Sequence, residues 1–324
     1  MLNIVFMGTP DFAVPALKAI HSAHRVLAVY TQPDKPVGRG LELRASPVKK
    51  VAQDLGLEIR QPEKLSQPGV FEALASLKPD VIVVVAYGQI LRQNVLDLPR
   101  LGCINIHSSL LPRWRGAAPI HWAMLSGDTE TGVTTMKLVL KLDAGDILLQ
   151  RKTPIGPSEG VEILHDRLST LGAELVLPTL EGLENGTLTG TRQDESQVTY
   201  AAKLTKQMEW LDTAESAAKL SLKVRALNPW PGTSLAVELA PGECPRLKVK
   251  RATPRLDLNG PPGTLFERSG MLLLGTSDGA LELTALQWEG KKETDIGGFL
   301  NGLKGRGLKL PLKTVCGTAP EIKT

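Results

Sequence analysis

NIVFMGTPDFAVPALKAIHSAHRVLAVYT, residues 3–31, decides the fold class. Asn3 to Met7 is rich in β-formers and breaks at Gly8-Thr9-Pro10. The apolar spacing then turns helical through Ile20, and Val26 to Thr31 reads as a second strand. Two strands joined through a helix form a βαβ unit, so they run parallel. Further along, Val81 to Val85 and Cys103 to His107 are too continuously apolar for a half-exposed sheet, and helix-like stretches such as 69–78 separate such runs. A buried, parallel-rich sheet of the α/β class follows. Residues 132–140 and 147–151 read as further strands, and 160–184 as a long helix stopping near Asn185-Gly186. A first α/β domain is therefore expected over 1–186.

Residues 187–206 are polar and lack a clear period, which reads as a linker. A helical stretch (214–226) and Asn228-Pro229-Trp230-Pro231-Gly232 come next. Short strand-like runs follow at 233–239, 246–252, 270–275 and 280–287. Short strands punctuated by Gly and Pro predict a small β-barrel over 207–313, with 314–324 as a C-terminal tail.

A length of 324 residues suits two domains. Charged residues at 22% and hydrophobic ones at 42% are an ordinary globular balance, which argues against wholesale disorder. The charge is uneven: residues 1–200 carry 20 basic and 21 acidic side chains, whereas 201–324 carry 18 and 13. A polyanion partner should therefore engage the second part. Three scattered cysteines, Cys103, Cys244 and Cys316, fit a reducing cytosol better than a disulfide framework, and their spacing is not that of a zinc site. The opening lacks the basic n-region of a signal peptide, and no apolar run approaches the roughly 20 residues of a membrane span. A cytoplasmic protein with no membrane partner is expected, and since nothing demands an oligomer, a monomer.

The Gly8-Thr9-Pro10 turn resembles a phosphate loop but lacks the G-x-G-x-x-G spacing, and Pro10 removes an amide donor, which argues against a dinucleotide cofactor. A tight strand-to-helix turn explains it as well. More informative is Asn105-Ile106-His107-Ser108-Ser109-Leu110-Leu111-Pro112-Arg113-Trp114-Arg115-Gly116. Residues two apart on a strand share a face, so Asn105 and His107 project together at a carboxyl end, where open α/β sheets bind ligands. Leu142-Asp143-Ala144-Gly145-Asp146 sets a carboxylate on a loop beyond another strand. Amide, imidazole and carboxylate together could surround one reacting carbonyl, although a lone histidine near a strand end is more often structural. His21, His24, His121 and His165 have no partner pattern and read as surface or helix residues.

Asn105-x-His107, Ser109-Leu-Leu-Pro112-Arg-Trp-Arg-Gly116, Thr131-Gly132-Val-Thr134 and Leu142-Asp143-x-Gly145 together resemble the 10-formyltetrahydrofolate-dependent transformylases. Four further segments resemble the members that formylate methionine carried on initiator tRNA: Phe6 to Phe12, Gln32 to Gly40, Ser46 to Lys49 and Asn228-Pro-Trp230-Pro231. The match runs in consistent order from residue 1 to about 310. It implies a Rossmann-like catalytic domain, a linker and an OB-like barrel, with 10-formyltetrahydrofolate as co-substrate and no metal. Carried over, Asn105, His107 and Asp143 match the catalytic trio, and Ser109, Leu110, Leu111 and Pro112 the folate segment. Tyr87, Gly88, Gln89 and Ile90 would lie beside the pterin. The loop 32–49 is implied to reach the tRNA acceptor end, with Arg39 its prominent cation. Here the chain departs from pattern, since Leu41 and Glu42 stand where many relatives carry lysines and Arg44 comes later.

In the second half, Arg246-x-Lys248-x-Lys250-Arg251-x-x-x-Arg255 gives five cations without an interspersed acid. Strand alternation puts Arg246, Lys248 and Lys250 on one face, a stripe suited to tRNA phosphates or, equally, a solvated edge. Trp230 reads as a packing anchor of the barrel, and Trp114 as either a packing residue or part of the substrate entrance. Two alternatives remain: a formyltransferase acting on an amino-sugar nucleotide or other small amine, and a non-catalytic RNA-binding protein. A basic barrel argues against the first. The complete Asn-His-Asp set argues against the second.

Overall fold

The computed structural model describes residues 1–37 and 42–315, and the chain divides into two compact units. The first is built on seven strands: β1 (Asn3–Gly8), β2 (Arg25–Tyr30), β3 (Ile59–Arg60), β4 (Val81–Val85), β5 (Cys103–His107), β6 (Glu130–Lys137) and β7 (Ile147–Pro154). They lie in the order β7-β6-β5-β4-β1-β2-β3. β5 through β3 are parallel, and β6 and β7 add antiparallel partners at one edge. The expected βαβ opening is present, with the helix Val14–Ala23 between β1 and β2. Gly8 ends β1 because a Cβ there would lie 2.8 Å from the Phe6 ring and 2.9 Å from Ala13 Cβ.

One face of the sheet buries Val5, Met7, Ala28, Tyr30, Ile82, Val84 and Cys103 against Leu74, Val95 and Leu96. On the other, the helix Val161–Glu184 packs so closely that a Cβ on Gly172 would stand 2.9 Å from Ile106 Cγ2. Glycine permits that approach. The strand order reverses between β1 and β4, so the crevice outside their carboxyl ends is where such a sheet accepts a ligand.

Residues 187–201 cluster with the first unit rather than spanning open solvent. Thr191 and Ile147 exchange two backbone hydrogen bonds of 2.8 Å, and Tyr200–Ala201 pairs with Arg115–Gly116.

The second unit contains His121–Thr129, Ile155–Val161 and the chain from Ala202 onward. Its six strands are β8 (Ser234–Val237), β9 (Arg246–Arg255), β10 (Thr264–Arg268), β11 (Met271–Gly275), β12 (Ala280–Trp288) and β13 (Leu312–Val315). They close a barrel in the order β8-β9-β12-β11-β10-β13. The barrel was expected; β10, β13 and the helix Ile296–Gly305 were not. Leu220 and Val224 of the helix Ala217–Leu227 join Leu247, Val249, Leu272, Leu281 and Phe299 in its core. Trp230 corrects the sequence reading: it is 55% exposed, because it sits between two prolines in the turn leading into β8 rather than on an inward strand face. No helix among the described residues is long and apolar enough to cross a membrane.

Candidate active site

β5 is buried along its whole length, yet carries Asn105 and His107. Neither is more than a tenth exposed. His107 closes the strand at its carboxyl edge, opposite Thr134 of β6, while Asn105 lies opposite Met136. His107 Nε2 lies 2.9 Å from the carbonyl oxygen of Trp114. A carbonyl can only accept, so Nε2 carries the hydrogen and Nδ1 faces elsewhere. Trp114 reaches that pose with φ 64°, a left-handed conformation uncommon for a bulky side chain. Its ring is buried, with the Arg113 guanidinium 4.4 Å from the ring centroid, which favours packing over exposure at an entrance.

Nδ1 of His107 looks toward Asp143, 3.9 Å from Oδ2. Asp143 sits in the loop between β6 and β7 with φ 47°, and Oδ2 accepts a 2.8 Å hydrogen bond from the Gly116 amide. No described residue bonds to the Asn105 side-chain amide, so both its donors and its acceptor are left for a bound molecule. His107 and Asp143 thus face each other, and Asn105 stands two residues earlier on the same strand.

The segment after β5 is held from below by Thr134 and Gln150. Thr134 Oγ1 donates to the Ser109 carbonyl at 2.6 Å and accepts from the Leu111 amide at 3.1 Å and from Gln150 Nε2 at 2.9 Å. Gln150 Nε2 also donates to the Leu111 carbonyl at 2.8 Å, and Ser109 Oγ to the Arg113 carbonyl at 2.7 Å. Gly132 has no room for a side chain, since a Cβ would fall 2.6 Å from Leu110 Cδ2 and 2.2 Å from the Arg151 carbonyl oxygen. The backbone of Ser109, Leu110, Leu111 and Pro112 is thereby fixed beside the trio.

The second expected folate segment divides. Tyr87 is buried in the sheet core, where desolvation raises its phenol well above the usual range, and its hydroxyl has no hydrogen-bond partner among the described residues. Its carbonyl, at the carboxyl end of β4, accepts from Thr9 Oγ1 at 3.0 Å and Gln32 Nε2 at 3.2 Å. Gln89 is tied to the backbone of Leu65 and Pro62. Gly88 turns the chain with φ 85°, and Ile90 is exposed.

Arg39 lies outside the described residues. Arg44 is exposed in the short strand Glu42–Arg44, paired with Lys35–Val37. The base of that loop is pinned by the Lys49–Asp34 ion pair at 2.6 Å, and this hydrogen bond holds the Asp34 carboxyl below its ordinary range.

On β9, Leu247 and Val249 face the core and Lys248 and Lys250 face outward, as alternation requires. The stripe is less free than its sequence, because acids from elsewhere reach it. Arg246 pairs with Glu209, Arg255 with Asp257 and Glu282, and Arg251 lies 3.7 Å from Glu293. Lys248 and Lys250 have no ion-pair partner among the described residues. No group of three or more His, Cys, Asp or Glu among those residues could hold a metal.

Sequence reasoning missed Gln150 and Gln193. Gln193 Nε2 donates to the carbonyls of Asp143 at 2.8 Å and Gly145 at 2.7 Å. It comes from an aperiodic stretch some 50 residues away, which carries no signal for such a contact. Thr134 belongs to the Thr131-Gly132-Val-Thr134 motif, but nothing in that motif signals its role as a hub.

The family described as formyl transferase matches residues 2–180, and the formyl transferase C-terminal domain matches 203–304. A methionyl-tRNA formyltransferase of Geobacter metallireducens is 45% identical over 304 residues, covering 94% of this chain and 96% of the relative. One of Methylococcus capsulatus is 48% identical over 301 residues, covering 93% and 96%. Among solved structures, an N-formyltransferase from Helicobacter canadensis in complex with folinic acid and dTDP-3-aminofucose superposes with a TM-score of 0.64 at 17% identity. That match covers 87% of this chain and 99% of the other. HypX from Aquifex aeolicus, in complex with tetrahydrofolic acid, gives 0.61 at 22% identity, with 97% of this chain spanning 51% of that one. At such identities the structural likeness speaks for the fold.

Proposed function

The chain belongs to the formyl transferase family, among the methionyl-tRNA formyltransferases, and from that premise we infer how its residues move a formyl group from 10-formyltetrahydrofolate to the α-amino group of methionine on initiator tRNA. The product is N-formylmethionyl-tRNA, the aminoacyl-tRNA used to initiate translation. One observation carries the residue assignment. A buried amide without a partner among the described residues and an imidazole whose Nδ1 faces a loop carboxylate lie at one strand end.

The amine attacks the formyl carbon, the bond from that carbon to N10 of the folate breaks, and one proton passes from the amine to N10. Asn105 donates to the formyl oxygen as negative charge grows there, which a neutral amide does without competing for the proton. His107, its Nε2–H committed to Trp114, acts through Nδ1. Asp143 accepts the proton leaving the amine and passes it to N10, directly or through water. Ser109, Leu110, Leu111 and Pro112 bind the folate, with the backbone of Tyr87 and Gly88, the turn at Gln89, and Ile90 beside the pterin.

Catalysis is assigned to residues 1–186 and tRNA holding to 207–313, with 187–206 connecting them. Arg39 and Arg44 of the loop 32–49 reach the acceptor end, and Lys248, Lys250 and Arg251 contact phosphates. The trio is complete within one chain, which supports a monomer. Cys103 and Cys244 are unpaired, which supports a reducing, cytoplasmic setting. The decisive assay offers purified protein 10-formyltetrahydrofolate with charged initiator tRNA, free methionine or an amino-sugar nucleotide. Formylation of the charged tRNA alone is expected, whereas transfer to the amino sugar would replace this substrate.

A further inference from the structure

Asp143 does not hold itself in place. At φ 47° its backbone is in a conformation that an L-residue keeps only when its surroundings impose it. Both carbonyls of this turn, at Asp143 and Gly145, accept hydrogen bonds from a single side-chain amide, Nε2 of Gln193. The orientation of that amide is set in turn by Arg115, whose Nε donates to Gln193 Oε1 at 3.0 Å. Because a guanidinium has no acceptor, the atom facing it has to be the oxygen, which leaves both amide hydrogens for the two carbonyls. Arg115 is fully buried and pairs through Nη2 with Glu195 at 2.9 Å, and Glu195 grips Lys141 at 2.6 Å. A buried guanidinium is costly, and here Nη1 has no hydrogen-bond partner among the described residues. Such a group is poorly explained by stability alone. The neighbouring backbone serves the same end: Thr199 bonds to the amides of Trp114 and Arg115, next to the carbonyl that fixes His107 and the Gly116 amide that fixes Asp143.

We infer that Gln193, oriented by Arg115, is a positioning residue that holds the Asp143 carboxylate in register with His107 for formyl transfer. The inference rests on the reading of Asp143 as a reacting group. Apart from Arg115 and the Met136 sulfur, 4.0 Å from Nε2, Gln193 bonds to the backbone of the loop, so its effect should pass through where that loop puts the carboxylate.

The test is a double-mutant cycle on the full chain, with kcat read by single-turnover formylation of charged initiator tRNA and KM for 10-formyltetrahydrofolate measured in parallel. Q193A and Q193E should each lower kcat by about ten- to a hundredfold, the scale of a displacement near 1 Å, and leave KM within about twofold. Q193E is isosteric and keeps an acceptor for Arg115 but offers no N–H to the two carbonyls, so it carries the test if Q193A does not fold. D143A should lose turnover by itself, and adding Q193A to it should cost less than about twofold more, since the carboxylate being positioned is gone. A full Q193A penalty in the D143A background, or wild-type kcat in Q193E, would overturn the positioning role while leaving Asp143 in the mechanism. Wild-type turnover in D143A would overturn both.

Discussion

His107 presents Nδ1 to Oδ2 of Asp143 across 3.9 Å, too far for a hydrogen bond and close enough for charge to be felt. Both groups have their other polar contacts taken up by backbone, through Trp114 and Gly116. Their separation is therefore set by the fold. His107→Ala and Asp143→Ala should each reduce kcat by about 100- to 10,000-fold, the usual worth of a positioned acid or base. Far-UV circular dichroism should show the fold retained. Near wild-type turnover in either variant would remove that residue from the chemistry.

Asn105→Ala separates transition-state from ground-state binding. Its amide makes no hydrogen bond to a described residue, so the substitution strands no protein group. As an oxyanion donor it should lower kcat by about 100- to 1,000-fold and change KM for 10-formyltetrahydrofolate much less. A matching rise in KM with kcat unchanged would recast Asn105 as a binding residue.

Thr134→Val keeps the shape of the side chain and deletes the hydroxyl that joins the folate segment to the sheet. It leaves the Ser109 carbonyl and the Leu111 amide without their partner, and each buried orphan costs about 1–3 kcal/mol. The urea midpoint should fall and KM for 10-formyltetrahydrofolate rise, with tRNA affinity unchanged. Equal losses for both substrates would show a general loosening of the sheet instead.

Much of this could be read from residue order because the parallel sheet is buried on both faces. β1, β2, β4 and β5 are then near-continuous apolar runs, against which Asn105 and His107 stand out. The barrel was partly legible. β10 and β13 escaped because Thr264–Arg268 and Leu312–Val315 are short runs whose strand character comes from pairing, β10 with β11 and β13 with β8, and with each other across nearly 50 residues. The pairing of the β9 arginines was hidden for the same reason, since the acids at 209, 282 and 293 are brought up only by folding, whereas Asp257 stands two residues beyond Arg255. Gln193 could not be found at all, because two of its partners are backbone carbonyls, which leave no trace in side-chain chemistry, and Arg115 lies 78 residues away.

Glu195 makes the strap between 191 and 201 sensitive to acid. Hydrogen bonds first from Arg115 and then from Lys141 bring its carboxyl down to about 2 from an ordinary 4.5. Between those values the unfolded chain binds the extra proton, so the contribution of Glu195 to stability is complete above pH 4.5 and is lost as pH falls toward 2. Glu195→Gln should accordingly be less stable than wild type at pH 7, with the gap in urea midpoint narrowing from pH 4.5 downward. A gap independent of pH would mean that the ionised carboxylate contributes nothing.

The lysines of β9 provide the test of tRNA binding by the barrel. Of the five cations on that strand, Arg246 and Arg255 are held by carboxylates and Arg251 has Glu293 nearby, which leaves Lys248 and Lys250 the freest to release counterions from a phosphate backbone. Replacing both with Gln should weaken binding of charged initiator tRNA and flatten its dependence on log salt by about 0.9 for each phosphate of a duplex stem that is no longer neutralised. Arg251→Gln should do less, since its own pairing with Glu293 already competes with phosphate. Affinity for 10-formyltetrahydrofolate should not change in any of these, because the folate segment lies in the other unit. If the double variant kept the wild-type affinity and salt slope, the outward face of β9 would be a solvated strand face, and the cations that hold the tRNA would have to be sought in the loop 32–49.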